Sequence, residues 1–388
     1  MVSVIIANAN KEMTRRASGR RIRCPGGYSA FVPNPLPPPL RWTTDLVNAL
    51  SVADRAVGRL AAEGRRLPNP HLLIRPFVKR EAVLSSRIEG TEASLGELLA
   101  AEAGAAVERS PSDLREVANY VSALEYGVRR LKKLPLSLRL VREMHERLMR
   151  GVRGESAAPG QFRRSQNWIG RAGGTIENAT YVPPPPHLLH ECLGPWEAFL
   201  HETSLPPLVQ VGLAHSQFEA IHPFLDGNGR VGRLVITLFL VERKILPAPL
   251  LYLSAFFEST RQEYYNRLRG ITESGEWDAW ILYFLSGVAR QSEDAVSRAE
   301  RINALLAIWR LGPAGRSSSL VSSMIDHLAE NPFCTVNGMG EKLNVAFTTA
   351  QRSIGRLESA GILFRVSAGK RNRVYCGQAL LSILEEPA

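Results

Sequence analysis

Apolar residues recur at helical spacing in four blocks of the N-terminal half, predicting helices over 43–65, 76–89, 112–134 and 138–149. A further amphipathic block covers 208–221. It is followed by a nearly all-apolar run, with Leu234, Val235, Leu238, Phe239 and Val241, that has the length and spacing of a buried helix. Beyond residue 319 the pattern changes. Three short helices are expected at 320–330, 336–343 and 347–360, then a strand at 362–366, a polar turn and a second strand at 373–376. The small-residue stretch 311–319 reads as a linker, and the proline-rich stretch 28–39 as an extended lead-in. No apolar run reaches eighteen residues, so no membrane-spanning helix is expected.

The chemistry concentrates just before the buried helix. Residues 222–233 read His-Pro-Phe-Leu-Asp-Gly-Asn-Gly-Arg-Val-Gly-Arg. A helix starting at these glycines exposes backbone N–H groups that have no internal partner and lie at the positive end of the helix dipole. Gly227, Asn228 and Gly229 therefore offer an anion site suited to phosphate. Arg230 and Arg233 lie three apart on the first turn, where both could grip phosphate oxygens. Asp226 is placed to hold a hard cation and His222 to move a proton. The glycines also fit a dinucleotide-fold spacing. That reading fails because the preceding segment is helical and no acidic residue lies between Glu242 and Glu258; a P-loop fails because no Gly-Lys-Ser or Gly-Lys-Thr follows.

The run resembles the signature of the Fic family, His-x-Phe-x-(Asp/Glu)-Gly-Asn-Gly-Arg-x-x-Arg, with every fixed position present. The likeness extends through Pro159-Gly-Gln-Phe-Arg-Arg upstream and Leu251-Tyr-Leu-Ser254 downstream, and spans about 28–384. It implies a mainly α fold, with a Fic-type helical core and a small β-hairpin flap, that transfers AMP from ATP, with Mg2+, to a Tyr, Ser or Thr hydroxyl of a protein. In that scheme His222 is the base, Asp226 holds the metal, Gly227 to Gly229 form the anion hole and Arg233 meets the γ-phosphate. The resemblance also assigns 175–182, with Tyr181 and Val182, to a flap that positions the target, and Tyr265 to the adenine side.

Ser85-Ser-Arg-Ile-Glu-Gly90 fits the family's self-inhibitory pattern (Ser/Thr)-x-x-x-Glu-(Gly/Asn). The resemblance implies that Glu89 pairs with Arg233 and withholds it from ATP, with Ser85 and Gly90 completing the motif. The residues taken alone also fit a helix ended by Gly90. Two other functions stand beside transfer. In one, a hydrolase removes AMP using the same glutamate; in the other, a regulator binds DNA through the C-terminal module. That module has the outline of a winged helix-turn-helix, with Thr348, Thr349, Gln351, Arg352 and Arg356 on its third helix and Lys370, Arg371 and Arg373 toward the wing. Its seven basic and six acidic side chains nearly cancel, a low balance for phosphate contact.

The chain has 388 residues, 45% of them hydrophobic, and a net charge of +11. Part of that charge sits at 11–24. The expected organisation is a basic, disordered tail at 1–27, a helical region carrying the inhibitory motif at 28–110, the catalytic core at 111–300, a linker at 301–319 and the winged helix at 320–388. The apolar N-terminal stretch is too short for a signal peptide. The four cysteines lack metal-ligand or disulfide spacing, which points to a reducing, cytoplasmic setting. Expected partners are ATP, an unidentified target protein or the chain itself, a second copy in a homodimer, and DNA at the winged helix; no membrane is expected.

Overall fold

A computed structural model describes residues 18–66, 70–105, 107, 111–152, 158–171, 173–367 and 373–387. Strands β1 (Gly19–Arg23) and β2 (Ser29–Pro33) open it as an antiparallel hairpin. Helices follow: α1 (Thr44–Arg66), α2 (Pro70–Ile88), α3 (Leu95–Glu102), α4 (Pro111–Arg130), α5 (Leu138–Leu148), α6 (Leu189–His201), α7 (Pro207–Ile221), α8 (Asn228–Glu242), α9 (Ser254–Ser259), α10 (Arg261–Ser274) and α11 (Trp277–Leu311). The four helices expected in the N-terminal half are all present. The second begins at Pro70 rather than at 76 and takes Pro76 into its length.

The apolar run after residue 233 becomes α8, buried along almost its whole length. Helices α7, α4 and α5 pack around it. Two tryptophans from flanking helices hydrogen-bond into α7: Trp196 Nε1 donates to Ala214 O at 2.8 Å, and Trp280 Nε1 to Gly212 O at 2.9 Å. Gly212 is needed there because a Cβ would lie 2.9 Å from the Phe284 ring. Burial of the Leu, Val and Phe side chains of α7 and α8 contributes about 1.5–3 kcal/mol each. The two helices thereby become a stiff support for the loop between them.

Two expectations are corrected. Residues 18–27 are part of a folded hairpin rather than a disordered tail. Cys24 and Ala30 pack there on Val182, and Phe31 N donates to Val182 O at 2.9 Å. The basic residues up to 17 lie outside the described residues. Nor is 301–319 a linker: α11 runs unbroken to Leu311, and after a break at Gly312 Pro313 starts the short α12 (Pro313–Arg316). Proline suits the first turn of a helix, so the glycine and proline mark a corner rather than a flexible tether.

The last part holds α13 (Ser319–Glu330), β3 (Phe333–Thr335), α14 (Val336–Leu343), α15 (Phe347–Ser359), β4 (Phe364–Arg365), β5 (Val374–Cys376) and α16 (Gln378–Glu385), with antiparallel strand order β3-β5-β4. Ser318 and Thr335 start α13 and α14 by accepting from Val321 N and Gly338 N. The predicted strand at 362–366 shortens to Phe364–Arg365, and Lys370 and Arg371 lie outside the described residues. This unit is docked on the helices: α13 packs along α2, and buried Arg298 of α11 donates to Glu386 O at 2.7 Å. Among the described residues no helix is long and apolar enough to cross a membrane.

Candidate functional site

Helix α7 stops at Ile221 because His222 turns left-handed, with φ 49°, and its N–H donates to Phe218 O. That conformation costs a non-glycine residue about 1–2 kcal/mol, so the neighbouring structure must hold it. Arg163 does part of this: its Nε donates to His222 O at 2.9 Å and its Nη2 to Pro184 O at 2.5 Å. Asn228 closes the loop, its Oδ1 accepting from Phe224 N at 2.8 Å and its Nδ2 donating to Phe224 O at 2.9 Å. Asn228 thus offers its backbone N–H outward while its side chain is spent inward.

His145 of α5 supports the same loop from below. Its Nδ1 accepts from Gly160 N at 2.8 Å, so in the neutral ring Nε2 carries the hydrogen and donates to Asp226 O at 3.0 Å. The ring stacks on Phe224 with centroids 3.7 Å apart, and burial lowers its pKa to about 4. His145→Phe keeps the stack but leaves a buried N–H and a C=O unpaired, each costing about 1–3 kcal/mol. Thermal unfolding should begin several degrees lower; an unchanged Tm would show that these bonds do not matter.

His222 is half-buried. Its Nδ1 faces Glu219 O at 3.3 Å and, since a carbonyl only accepts, carries the hydrogen, so Nε2 is left with its lone pair. Burial lowers the ring's pKa to about 4, so it is neutral at physiological pH and its Nε2 lone pair is free to accept a proton. Asp226 is about half exposed; one carboxylate oxygen accepts from Gly227 N at 2.5 Å, leaving the other for a cation. Gly227 is left-handed at φ 76°, and a Cβ there would meet Met149 Sδ at 2.9 Å. The first intrahelical bond of α8 is Val231 N to Gly227 O. The donors facing outward are therefore Asn228, Gly229 and Arg230, one position later than expected, because Asp226 takes the Gly227 N–H.

The two motif arginines diverge. Arg230 is buried, 3.5 Å from both Glu116 and Asp226. Arg233, also buried, reaches α2: Nε donates to Ser85 Oγ at 2.8 Å, and Nη2 to Ser85 O at 2.9 Å and Glu89 Oε1 at 2.7 Å. Burial pushes the Glu89 carboxyl up, but Arg233 overcomes this and holds it below the usual glutamate value. Burial likewise pulls Arg233 down, and Glu89 outweighs it, so Arg233 is raised. A Cβ on Gly229 would lie 2.3 Å from Glu89 Oε1. The Glu89 carboxylate thus sits over the start of α8, in the position an incoming anion would need. Gly90, at φ 93°, ends α2 and turns Glu89 into the site.

Two polar residues, besides Arg163 and His145, leave no signal in the sequence. Glu81, buried on α2, accepts from Ser254 Oγ at 2.6 Å and Tyr120 OH at 3.1 Å, pinning the helix that carries Glu89. Glu219 lies against Gly232, where a Cβ would be 2.5 Å from its Oε1; burial first, then Glu89, raises its pKa to about 8. A carboxyl raised above its unfolded value favours the fold below that value and loses the benefit as pH climbs through the folded one. Glu219→Gln should therefore raise Tm over wild type by a few degrees at pH 9 and less at pH 5. An equal gap at both pH values would contradict the buried, protonated carboxyl.

At the rim, Tyr265 is 41% exposed, with Arg261 over its ring, whereas Tyr264 is buried on His215. The flap region is a loop closed by one antiparallel bridge, Ile169 to Tyr181, with a single 3-10 turn at Ile176–Asn178. Both backbone groups of Tyr181 bond Ile169, and Val182 O is taken by Phe31 N. The backbone of Tyr181 is therefore taken by Ile169 and the carbonyl of Val182 by β2.

Residues 47–129 match the Fic/DOC family N-terminal profile and 135–240 the Fic/DOC family profile. The protein adenylyltransferase Fic of Drosophila virilis is 31% identical over 142 residues, 36% of this chain and 26% of that protein; its Drosophila willistoni counterpart is 30% identical over 142 residues, 36% and 25%. The matched stretch thus spans about a quarter of those relatives. Among solved structures, a Fic family protein from Desulfovibrio desulfuricans G20 aligns over 88% of this chain and 98% of its own at TM-score 0.59 and 22% identity. Fic-1 from C. elegans aligns over 67% and 76% at TM-score 0.51 and 22% identity. At these identities the structural likeness establishes the fold.

Proposed function

From the premise that this chain is a Fic/DOC family protein, distantly related to the Fic protein adenylyltransferases, we propose that it transfers AMP from ATP to a hydroxyl of a target protein and that Glu89 restrains the transfer. The observation that carries this reading is the Glu89 carboxylate bound to Arg233 at 2.7 Å directly over the N-terminus of α8. With Glu89 withdrawn, Asn228, Gly229 and Arg230 would donate to phosphate oxygens and Arg233 would meet the γ-phosphate. His222 Nε2 would take the proton of a Tyr, Ser or Thr hydroxyl as its oxygen attacks the α-phosphorus and pyrophosphate leaves. The new bond is a phosphate ester to AMP. The Glu89–Arg233 pair favours restraint over a role in ordering water for AMP removal.

Asp226 would hold Mg2+. A single half-exposed carboxylate suits an ion that keeps most of its ligands as water and phosphate oxygen. Among the described residues no group of three or more His, Cys, Asp or Glu side chains could cage a metal instead. When bound, the ion would neutralise phosphate charge.

The helix, strand and hairpin order of 319–376 supports reading the C-terminal unit as a winged helix, with Thr348, Thr349, Gln351 and Arg352 exposed on α15. Binding of the full chain to duplex DNA that weakens steeply with salt would support DNA contact; salt-insensitive or absent binding would leave a docking role.

The reaction itself is tested with the Glu89→Gly protein, target extract and ATP labelled at either the α or the γ position. AMP transfer places only the α label on protein. Retention of the γ label would mean phosphate transfer and would overturn the reading.

A further inference from the structure

Arg163 is 4% exposed, and its side-chain bonds run to backbone carbonyls of Ser165, Pro184, Ile221 and His222. Burial lowers its pKa to about 10, countered by Tyr181, Cys192 and Tyr28 and by no carboxylate, so it stays charged at neutral pH. A buried cation without a counter-charge is costly, and an arriving anion relieves the cost. Arg163 lines a cleft of about 380 Å³ together with Phe162, Arg142, Arg164, His187 and His190, and no carboxylate is among the described lining residues. Arg142 is fixed there, its Nε donating to Gly160 O at 2.7 Å and its guanidinium lying over the Phe162 ring. His190 meets the same ring edge-on. The hairpin extends the positive field, since Arg20 acts on Cys192 of α6 and Arg21 on Tyr181. Glu191 opposes it at Cys192.

We propose that this cleft docks an acidic segment of the target protein, its carboxylates entering between Arg164 and His190 while the hydroxyl to be modified reaches His222. The proposal rests on the AMP-transfer reading and supplies its substrate class. Arg163 both lines the cleft and bonds His222 O, so the cleft adjoins the turn that carries His222, within reach of one extended segment. Electrostatic docking of this kind sets partner choice and encounter rate, and it weakens with salt.

The test uses the full chain carrying Glu89→Gly and a fluorescent peptide of alternating Glu and Ser with one Tyr, beside the same peptide with Gln for Glu. Binding is read by anisotropy and AMP transfer by α-label. The Glu peptide is expected to bind about tenfold more tightly and to be labelled faster, and Arg164→Glu with His190→Glu should erase that preference. A matching melting curve for the double variant excludes misfolding, both positions being exposed. Equal binding of the two peptides, or a preference that survives charge reversal, would overturn the proposal. So would inorganic pyrophosphate displacing the Glu peptide in wild type with no loss of pyrophosphate affinity in the charge-reversed protein. Charge-dependent peptide binding with no label on any protein would keep the anion dock and defeat the transfer reading alone.

Discussion

Exchange of His222 for Ala in the Glu89→Gly protein is expected to lower AMP transfer by about 10²–10⁴-fold, the usual contribution of a positioned general base. ATP binding should change little. The ring's Nδ1 is committed to Glu219 O and its Nε2 faces the reaction, while the phosphate donors come from the start of α8. His222 also sits left-handed, held by Arg163 and the Asn228 clamp, and Ala tolerates that conformation no better. A thermal melt is therefore run alongside: a folded protein that binds ATP and transfers no AMP isolates the base. Full transfer by that variant would remove His222 from the mechanism.

Glu89→Gly is expected to raise transfer by about 10–100-fold. A charge-assisted hydrogen bond contributes roughly 1.5–3 kcal/mol, and each 1.4 kcal/mol is a tenfold change. Removing the carboxylate frees Arg233 Nη2 and uncovers Gly229 together, so the guanidinium and the helix N-terminus become available to the same phosphate. The rest of α2 should stay in place, because Glu81 still bonds Ser254 and Tyr120, and Ser85 still bonds Arg233. The gain should fall mainly in the productive use of ATP. It is measured as initial rates at fixed Mg2+ over a range of ATP.

The motif at 222–233 was legible because its parts are neighbours in sequence: a histidine, a carboxylate and a helix start fall between residues 222 and 228. The Glu89–Arg233 pair was legible through a short pattern, although 144 residues separate the partners. Arg163, His145, Glu81 and Glu219 were not. Each acts through one long-range bond or one packing contact, and an isolated His or Glu on a helix leaves no periodic trace. The hairpin at 19–33 was missed because its first strand is mostly arginine, which masks alternation. The supposed linker was missed because Gly312 and Pro313 punctuate a helical path that continues on both sides. Divergence of Arg230 and Arg233 also lay beyond spacing, since residues on one helix face still choose partners by what packs opposite: Glu116 for one, α2 for the other.

A transfer site restrained by its own glutamate is tested by α-labelled AMP incorporation by wild type, Glu89→Gly and Glu89→Gly/His222→Ala under identical ATP and Mg2+. Low labelling in wild type, strong labelling with Glu89→Gly and none in the double variant is the predicted result. Labelling in Glu89→Gly no greater than in wild type would show that Glu89 does not restrain the site.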